Sequence, residues 1–409
     1  MATLESALPA SSRDSLRHSL QLIGFSLALS YAVFLTCSAF ERAWLIDSLG
    51  RVIDNDFIGV WAAGRLALDG HPAAAWDWSL HRAVEFAVAG HDFASYYGWH
   101  YPPMFLFAAA SLATLPYLAA WAVWMAVTLP AYVAAVRAII GERIGIVLAL
   151  GFPGVLWNLS VGQNGFLTAA LMGGTLIFIE RRPLLAGVCL GLLTYKPQFG
   201  LLFPLVLLLD RRWQVLVAAS ITAAAVAAAS VLAFGVQSWE AFFAWMPVTS
   251  HAVFAEGRAG LMKLQSLLGV VRWLGGDMTA GWAAQAILIA GAAILSAWLW
   301  RQRVRYEIKA AALAAAAMLA TPYLYLYIYD FPVLAIPLAF LMRVGLRDGF
   351  LPYELPAMAV CCGLILAFPF VAVPTGLAAV AIVVGLIARR AVGEFRGAGR
   401  VAMRKTAPA

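Results

Sequence analysis

The chain has 409 residues, of which 63% are hydrophobic and 12% charged, and its mean hydropathy is +0.84. A domain of this length cannot hide so much apolar surface from water, which excludes a soluble enzyme and makes lipid the solvent for much of the chain. The net charge of +7 is spread over short basic clusters between apolar runs, with no basic face interleaved with aromatic residues, which excludes nucleic acid as a partner.

The first segment, residues 1–18, is a polar leader carrying Arg13, Arg17 and His18, with no small-residue cleavage site after it. It reads as an uncleaved cytoplasmic start. Residues 20–40 are free of charge and long enough to cross a hydrocarbon core of about 30 Å. Residues 41–100 then form a first external loop rich in acids: Glu41, Asp47, Asp54, Asp56, Asp69 and Asp77. Within it, Phe57, Trp61, Leu66 and Leu68 beside Arg65 suit a helix lying on the membrane surface. Tyr101-Pro102-Pro103 closes the loop, because proline fits the first turn of a helix and forces the residue before it to be extended.

Two apolar runs follow, 104–116 and 118–138, and they conflict with the charge pattern. If both cross, the basic stretch 137–143 falls outside; counting back from Arg181-Arg182 puts it inside. One of the two runs fails to cross, or that loop breaks the positive-inside trend. Beyond it, basic clusters at 181–182, 210–212, 301–309 and 343–348 alternate with the outer segments 162–165, 194–198, 235–281, 321–330 and 369–376. The pattern predicts an all-α polytopic membrane protein with about 11–13 crossings, some of them short or broken. It comprises the leader 1–18, one transmembrane domain 19–390 with external loops at 41–100 and 236–281, and a basic cytoplasmic tail 391–409, with no internal repeat. The four cysteines all lie in apolar runs without metal-type spacing and read as small buried hydrophobes.

Ionisable and amide side chains near a bilayer are costly and tend to mark function. Outside the basic clusters they are Asp54 and Asp56, His100 and Tyr101, Gln163 and Asn164, Lys196 and Gln198, Lys263, Gln265 and Arg272, and Tyr323 with Asp330. The expected topology places all of them on the outer side. Each has a plain structural alternative. Asp56 could cap the helix that follows it, as could Gln163-Asn164, and Asp54 could be a solvated loop acid. Lys196 could snorkel to the headgroups, and Tyr325, Tyr327 and Tyr329 could form an interfacial belt. Together, however, they supply a carboxylate, cations and hydrogen-bonding amides and phenols. Sugar transfer from a lipid phosphate needs that set, with a base for the acceptor hydroxyl and cations for the departing phosphate. No zinc-protease, P-loop or nucleophile-elbow motif is present. No cofactor is indicated; Asp54-Asn55-Asp56 is the one spacing that could hold a divalent metal.

The motifs carry a resemblance. D-F-x-x-x-W-A-A-G-R-x-A-L-x-G from Asp56, Y-P-P from Tyr101 and G-Q-N-G-F-L-T-A-A-L from Gly162 come first. L-A-G-V-x-L-G-L-L-T-Y-K-P-Q-x-G-L-L-x-P, K-x-Q-S from Lys263 and L-A-T-P-Y before Leu324 follow. Over roughly Asp56 to Asp330 the chain resembles glycosyltransferase family 87, a GT-C-fold group that includes polyprenyl-phosphate-mannose-dependent α-1,2-mannosyltransferases. The resemblance implies a GT-C fold in a bacterial inner membrane and an inverting transfer at the periplasmic or exterior face. The donor would be a polyprenyl-phosphate sugar, mannose first, and the acceptor a hydroxyl of a lipid or glycan. It implies Asp56 as general base, with Asp54 as fallback, and Lys196 as the foremost donor-phosphate ligand, followed by Lys263 and Arg272. Gln163, Asn164, Gln198, Tyr323 and Tyr101 are then candidates for contacts to the sugar, acceptor or phosphate. The competing reading is a transporter or flippase of a lipid-linked or anionic substrate. It would call for internal symmetry between the halves, which the sequence does not display.

Overall fold

The computed structural model describes residues 10–258, 260–322, 330–371 and 373–406. Among them every regular element is a helix, apart from isolated bridges joining Trp44 to Ile46 and Ile46 to Val52. In chain order the helices are α1 (Ala10–Phe40), α2 (Phe57–Leu68), α3 (Trp78–Ala89), α4 (Leu106–Ala113), α5 (Tyr117–Ile140), α6 (Ile144–Leu150), α7 (Pro153–Val161), α8 (Gly165–Phe178), α9 (Pro183–Leu192) and α10 (Pro197–Gly200). There follow α11 (Phe203–Leu209), α12 (Trp213–Phe234), α13 (Val236–Ser250), α14 (Leu267–Trp273), α15 (Met278–Arg301), α16 (Tyr306–Leu319), α17 (Ala335–Asp348), α18 (Glu354–Val371) and α19 (Thr375–Thr406).

Six of these helices (α1, α5, α12, α15, α18 and α19) are long and apolar enough to cross a membrane alone, and α6 with α7 forms a seventh candidate bent by 52°. The fold is thus the expected polytopic helical one, but full-length helices do not supply all of the expected crossings. The other apolar runs break at prolines or glycines into helices such as Gly165–Phe178 and Pro183–Tyr195. An α-helix of 14 residues spans only about 21 Å, so such pieces are stable where neighbouring protein covers their ends.

The conflict at 104–143 has a structural answer. Helix α4 has 8 residues, about 12 Å, whereas α5 has 24, so only α5 of the two is long enough to cross alone. Helix α4 instead packs on α2. The contact is so close that a Cβ on Gly64 would lie 2.0 Å from the Ala109 carbonyl oxygen, so only glycine fits there. With a single crossing, the 137–143 stretch joins the other basic segments. Arg17 pairs with Glu142 at 3.2 Å, and Arg343 donates to the Ile139 carbonyl at 2.8 Å.

The first loop folds into α2, α3 and connecting turns. Helix α2 is covered by protein around most of its circumference: Phe57, Ile58, Val60, Ala62 and Ala63 are buried, and Trp61 donates to the Leu115 carbonyl. The core is continuous from this loop through α5, α8 and α16 to α17.

Candidate active site

The loop from α1 to α2 delivers Asp56 through a capping arrangement. Asn55 Oδ1 accepts the backbone N–H of Phe57 at 3.0 Å and the Tyr117 hydroxyl at 2.9 Å. Asn55 therefore satisfies the start of α2, and the Asp56 side chain makes no capping bond. Freed from that duty, the Asp56 carboxylate faces a cavity of about 490 Å³. Asp54 is placed differently, since its Oδ2 accepts the Ser95 hydroxyl at 2.7 Å and the Tyr97 hydroxyl at 3.1 Å. The 93–97 segment that supplies these hydroxyls is held by Arg82 of α3. Its guanidinium donates to the carbonyls of Phe93 and Ser95 and lies over the Phe86 and Phe93 rings at 4.5 Å.

Gln163 meets Asp56 from the other side of the cavity. Helix α7 ends on Gly162 at φ +71°, a left-handed position that lets the chain reverse into α8. Buried Asn158 braces this turn, donating to the Gln163 carbonyl at 2.8 Å and accepting the Gly165 N–H at 3.1 Å. The Gln163 side chain is thereby placed: its Oε1 accepts the Tyr101 hydroxyl at 3.2 Å, and it lines the same cavity as Asp56, whose carboxyl pKa it pulls down. Burial pushes the Asp56 carboxyl up to about 6, with the Gln163 hydrogen bond, Lys263 and Lys196 each pulling the other way.

The cations take two positions. Lys263 follows Gly260 in a short turn and lines the cavity together with Arg258; burial lowers its ammonium pKa, and Asp56 opposes that shift. Lys196 lies behind the cavity wall at φ −128° and ψ 72°, outside the helical region that Pro197 disfavours for the residue before it. Its Nζ is 2.5 Å from Asp330 Oδ1 and 5.9 Å from the centroid of the Tyr101 ring, and the ion pair is buried. Tyr101 is thus the hub between the two positions, with one edge toward Gln163 and one face toward Lys196.

Of the residues singled out in the sequence, Asp54, Asp56, His100, Tyr101, Gln163 and Lys263 share one cavity, and Lys196 and Asp330 form the pair immediately behind it. Asn164 is fully buried at the start of α8, where its carbonyl accepts the Tyr195 hydroxyl. Gln198 contributes a backbone carbonyl to Thr321 and does not line the cavity. Arg272 does not line it either; it ties the second loop together by donating to the carbonyls of Phe254, Ala255 and Gly276. Tyr323 lies outside the described residues, as do Tyr325, Tyr327 and Tyr329. The His100 ring hydrogen-bonds the Thr249 hydroxyl at 2.9 Å and so joins the 41–100 segment to the 235–281 segment. Among the described residues no three His, Cys, Asp or Glu side chains converge on a point where a metal could sit.

Sequence reasoning did not find Asn55, Ser95, Tyr97, Asn158 or Arg82, which hold the acids and Gln163 in place. Only Asn158 had a usable signal, as a polar residue inside an apolar run.

The family model for glycosyltransferase family 87 matches residues 99–322, more than half of the chain. No curated protein and no solved structure matches it. The match takes in Tyr101, Gln163, Lys196 and Lys263, whereas Asp56 and Asp330 fall outside it and are tied to it by the contacts above.

Proposed function

The chain belongs to glycosyltransferase family 87, and we propose that this membrane glycosyltransferase moves a sugar, mannose first, from a polyprenyl-phosphate donor to a hydroxyl of a lipid or glycan acceptor. The observation that carries the reading is the Asp56 carboxylate, released from capping by Asn55, held by Gln163 and set in a polar cavity with Lys263. A base with its pKa near 6 is ionised at neutral pH yet takes a proton more readily than an ordinary aspartate.

In the proposed step the acceptor hydroxyl gives its proton to Asp56 while its oxygen bonds to the anomeric carbon. The bond from that carbon to the donor phosphate oxygen breaks, and its electron pair leaves with polyprenyl phosphate. Attack opposite the leaving group inverts the anomeric centre. Lys263 from the cavity side and Lys196 from behind Tyr101 offset the charge gained by the phosphate. Gln163 orients the base, and Tyr101 lends its hydroxyl and ring to the substrate side of the cavity. The reading also takes the enzyme to be a bacterial inner-membrane protein with this cavity on the periplasmic or exterior side. The basic clusters, gathered at the other end of the bundle, support that orientation.

The test is transfer from a panel of synthetic polyprenyl-phosphate sugars into membrane extract by the purified protein. One donor should be consumed by wild type, and Asp56→Asn should lose roughly 10²–10⁴-fold in rate. Full activity in Asp56→Asn would end the base assignment.

A further inference from the structure

Resting on the reading of the cavity as a phosphate-sugar donor site, we propose that Asp330 is the resident counter-ion of Lys196, with which the donor phosphate competes, and that it limits how tightly the departing polyprenyl phosphate is held. The two residues are 134 positions apart in sequence, so only tertiary packing joins them, and their side chains are 5% and 2% exposed. An ammonium buried to that degree is costly unless an anion stays beside it. Asp330 supplies that anion at 2.5 Å.

Position gives the pair its bearing on the reaction. Lys196 Nζ lies 5.9 Å from the centre of the Tyr101 ring, and Tyr101 lines the cavity and bonds Gln163, which in turn holds Asp56. The donor is a phosphodiester with one negative charge. After transfer the leaving group is a monoester that carries up to two, while the acceptor's proton rests on Asp56. A lysine acting alone would hold that product more tightly than the substrate and so slow release. A carboxylate against the same lysine repels both anions, and repels the dianion about twice as strongly as the monoanion. Asp330 thus trades affinity for release.

The experiment measures binding of two probes to the purified full-length protein in detergent: farnesyl phosphate, a monoester, and farnesyl methyl phosphate, a diester. In Asp330→Asn the affinity for the monoester should rise on the order of tenfold and that for the diester by less. In transfer assays the same variant should lower the donor KM and kcat together. Because Asp330→Asn leaves Lys196 without this partner and could weaken the fold, Lys196→Met/Asp330→Leu serves as the second variant. Removing both charges should preserve the melting temperature while abolishing the monoester affinity. Unchanged or weaker monoester binding in Asp330→Asn, or wild-type binding in the double variant, would make the pair purely structural and overturn the proposal. A wild-type protein that neither binds farnesyl phosphate nor consumes any polyprenyl-phosphate sugar would instead sink the donor assignment on which it rests.

Discussion

The two ends of the helix bundle differ in whether charged side chains line a cavity. Helix α5 runs between them, with Tyr117 against Asn55 at one end and Ile139 against Arg343 at the other. At the Ile139 end, charges close on one another. Arg17 meets Glu142, Arg343 and Arg347 share Glu307, Arg305 bridges Asp348 and Glu394, and buried Arg390 chelates Glu354. At the Tyr117 end the surface pairs Arg51–Asp47 and Arg65–Asp69 and the buried pair Lys196–Asp330 are closed as well, but Asp56 and Lys263 both line a cavity. Paired charges far from a cavity fasten helices. Charges that line one, at a cost in burial, are placed where a substrate can meet them.

That contrast sets the predictions. The largest effect belongs to the open end: Asp56→Asn should cost roughly 10²–10⁴-fold in transfer rate. Asp54→Asn, whose carboxylate already serves two hydroxyls, should cost less than about tenfold, and equal losses in single-turnover assays would erase the distinction between the acids. The closed end should show the reverse signature. Glu354→Ala strands a buried arginine and should destabilise the protein by roughly 3–5 kcal/mol in denaturant unfolding, with kcat/KM per folded molecule unchanged. A Glu354→Ala protein that folds normally but transfers poorly would break the division of labour.

A smaller effect tests how Asp56 is kept available. Asn55→Ala removes the cap of α2, worth about 1 kcal/mol, and leaves Asp56 as the nearest side chain able to replace it. Activity should fall on the order of tenfold as the base turns toward the Phe57 N–H. Normal activity with lowered stability would mean that Asn55 is a cap and nothing more. Smallest of all, Arg65→Ala breaks an exposed pair with Asp69 that has Nη2 and Oδ1 2.8 Å apart, and should move stability by no more than about 0.5 kcal/mol.

The sequence made the fold class legible because apolar run length and basic clustering follow directly from the physics of the bilayer. It also gathered most of the site, since Asp56, Tyr101, Gln163, Lys196 and Lys263 stood out as polar residues where polarity is expensive. The fine structure was hidden for identifiable reasons. Asp56 and Asn55 are equally good caps by residue type, and only the Tyr117 hydroxyl, 62 positions from Asn55, shows which one does the work. Lys196 gave no hint of a partner 134 residues away. Arg272 looked like a phosphate ligand because a cation in an external loop reads the same whether it meets a substrate or three backbone carbonyls. The run 104–116 was apolar enough to suggest a crossing, and only the break before Tyr117 shortened it to a helix that packs on α2.

The central claim, that Asp56 is the base and that burial tunes it, is tested most directly by the pH dependence of kcat/KM in the purified wild-type enzyme. A base must be deprotonated to act, so raising its pKa moves the loss of activity to higher pH. The rate should plateau above an inflection near pH 6 and fall tenfold per pH unit below it. A profile that stays flat down to pH 4.5, or that breaks at the value of an ordinary aspartate near 4, would contradict it.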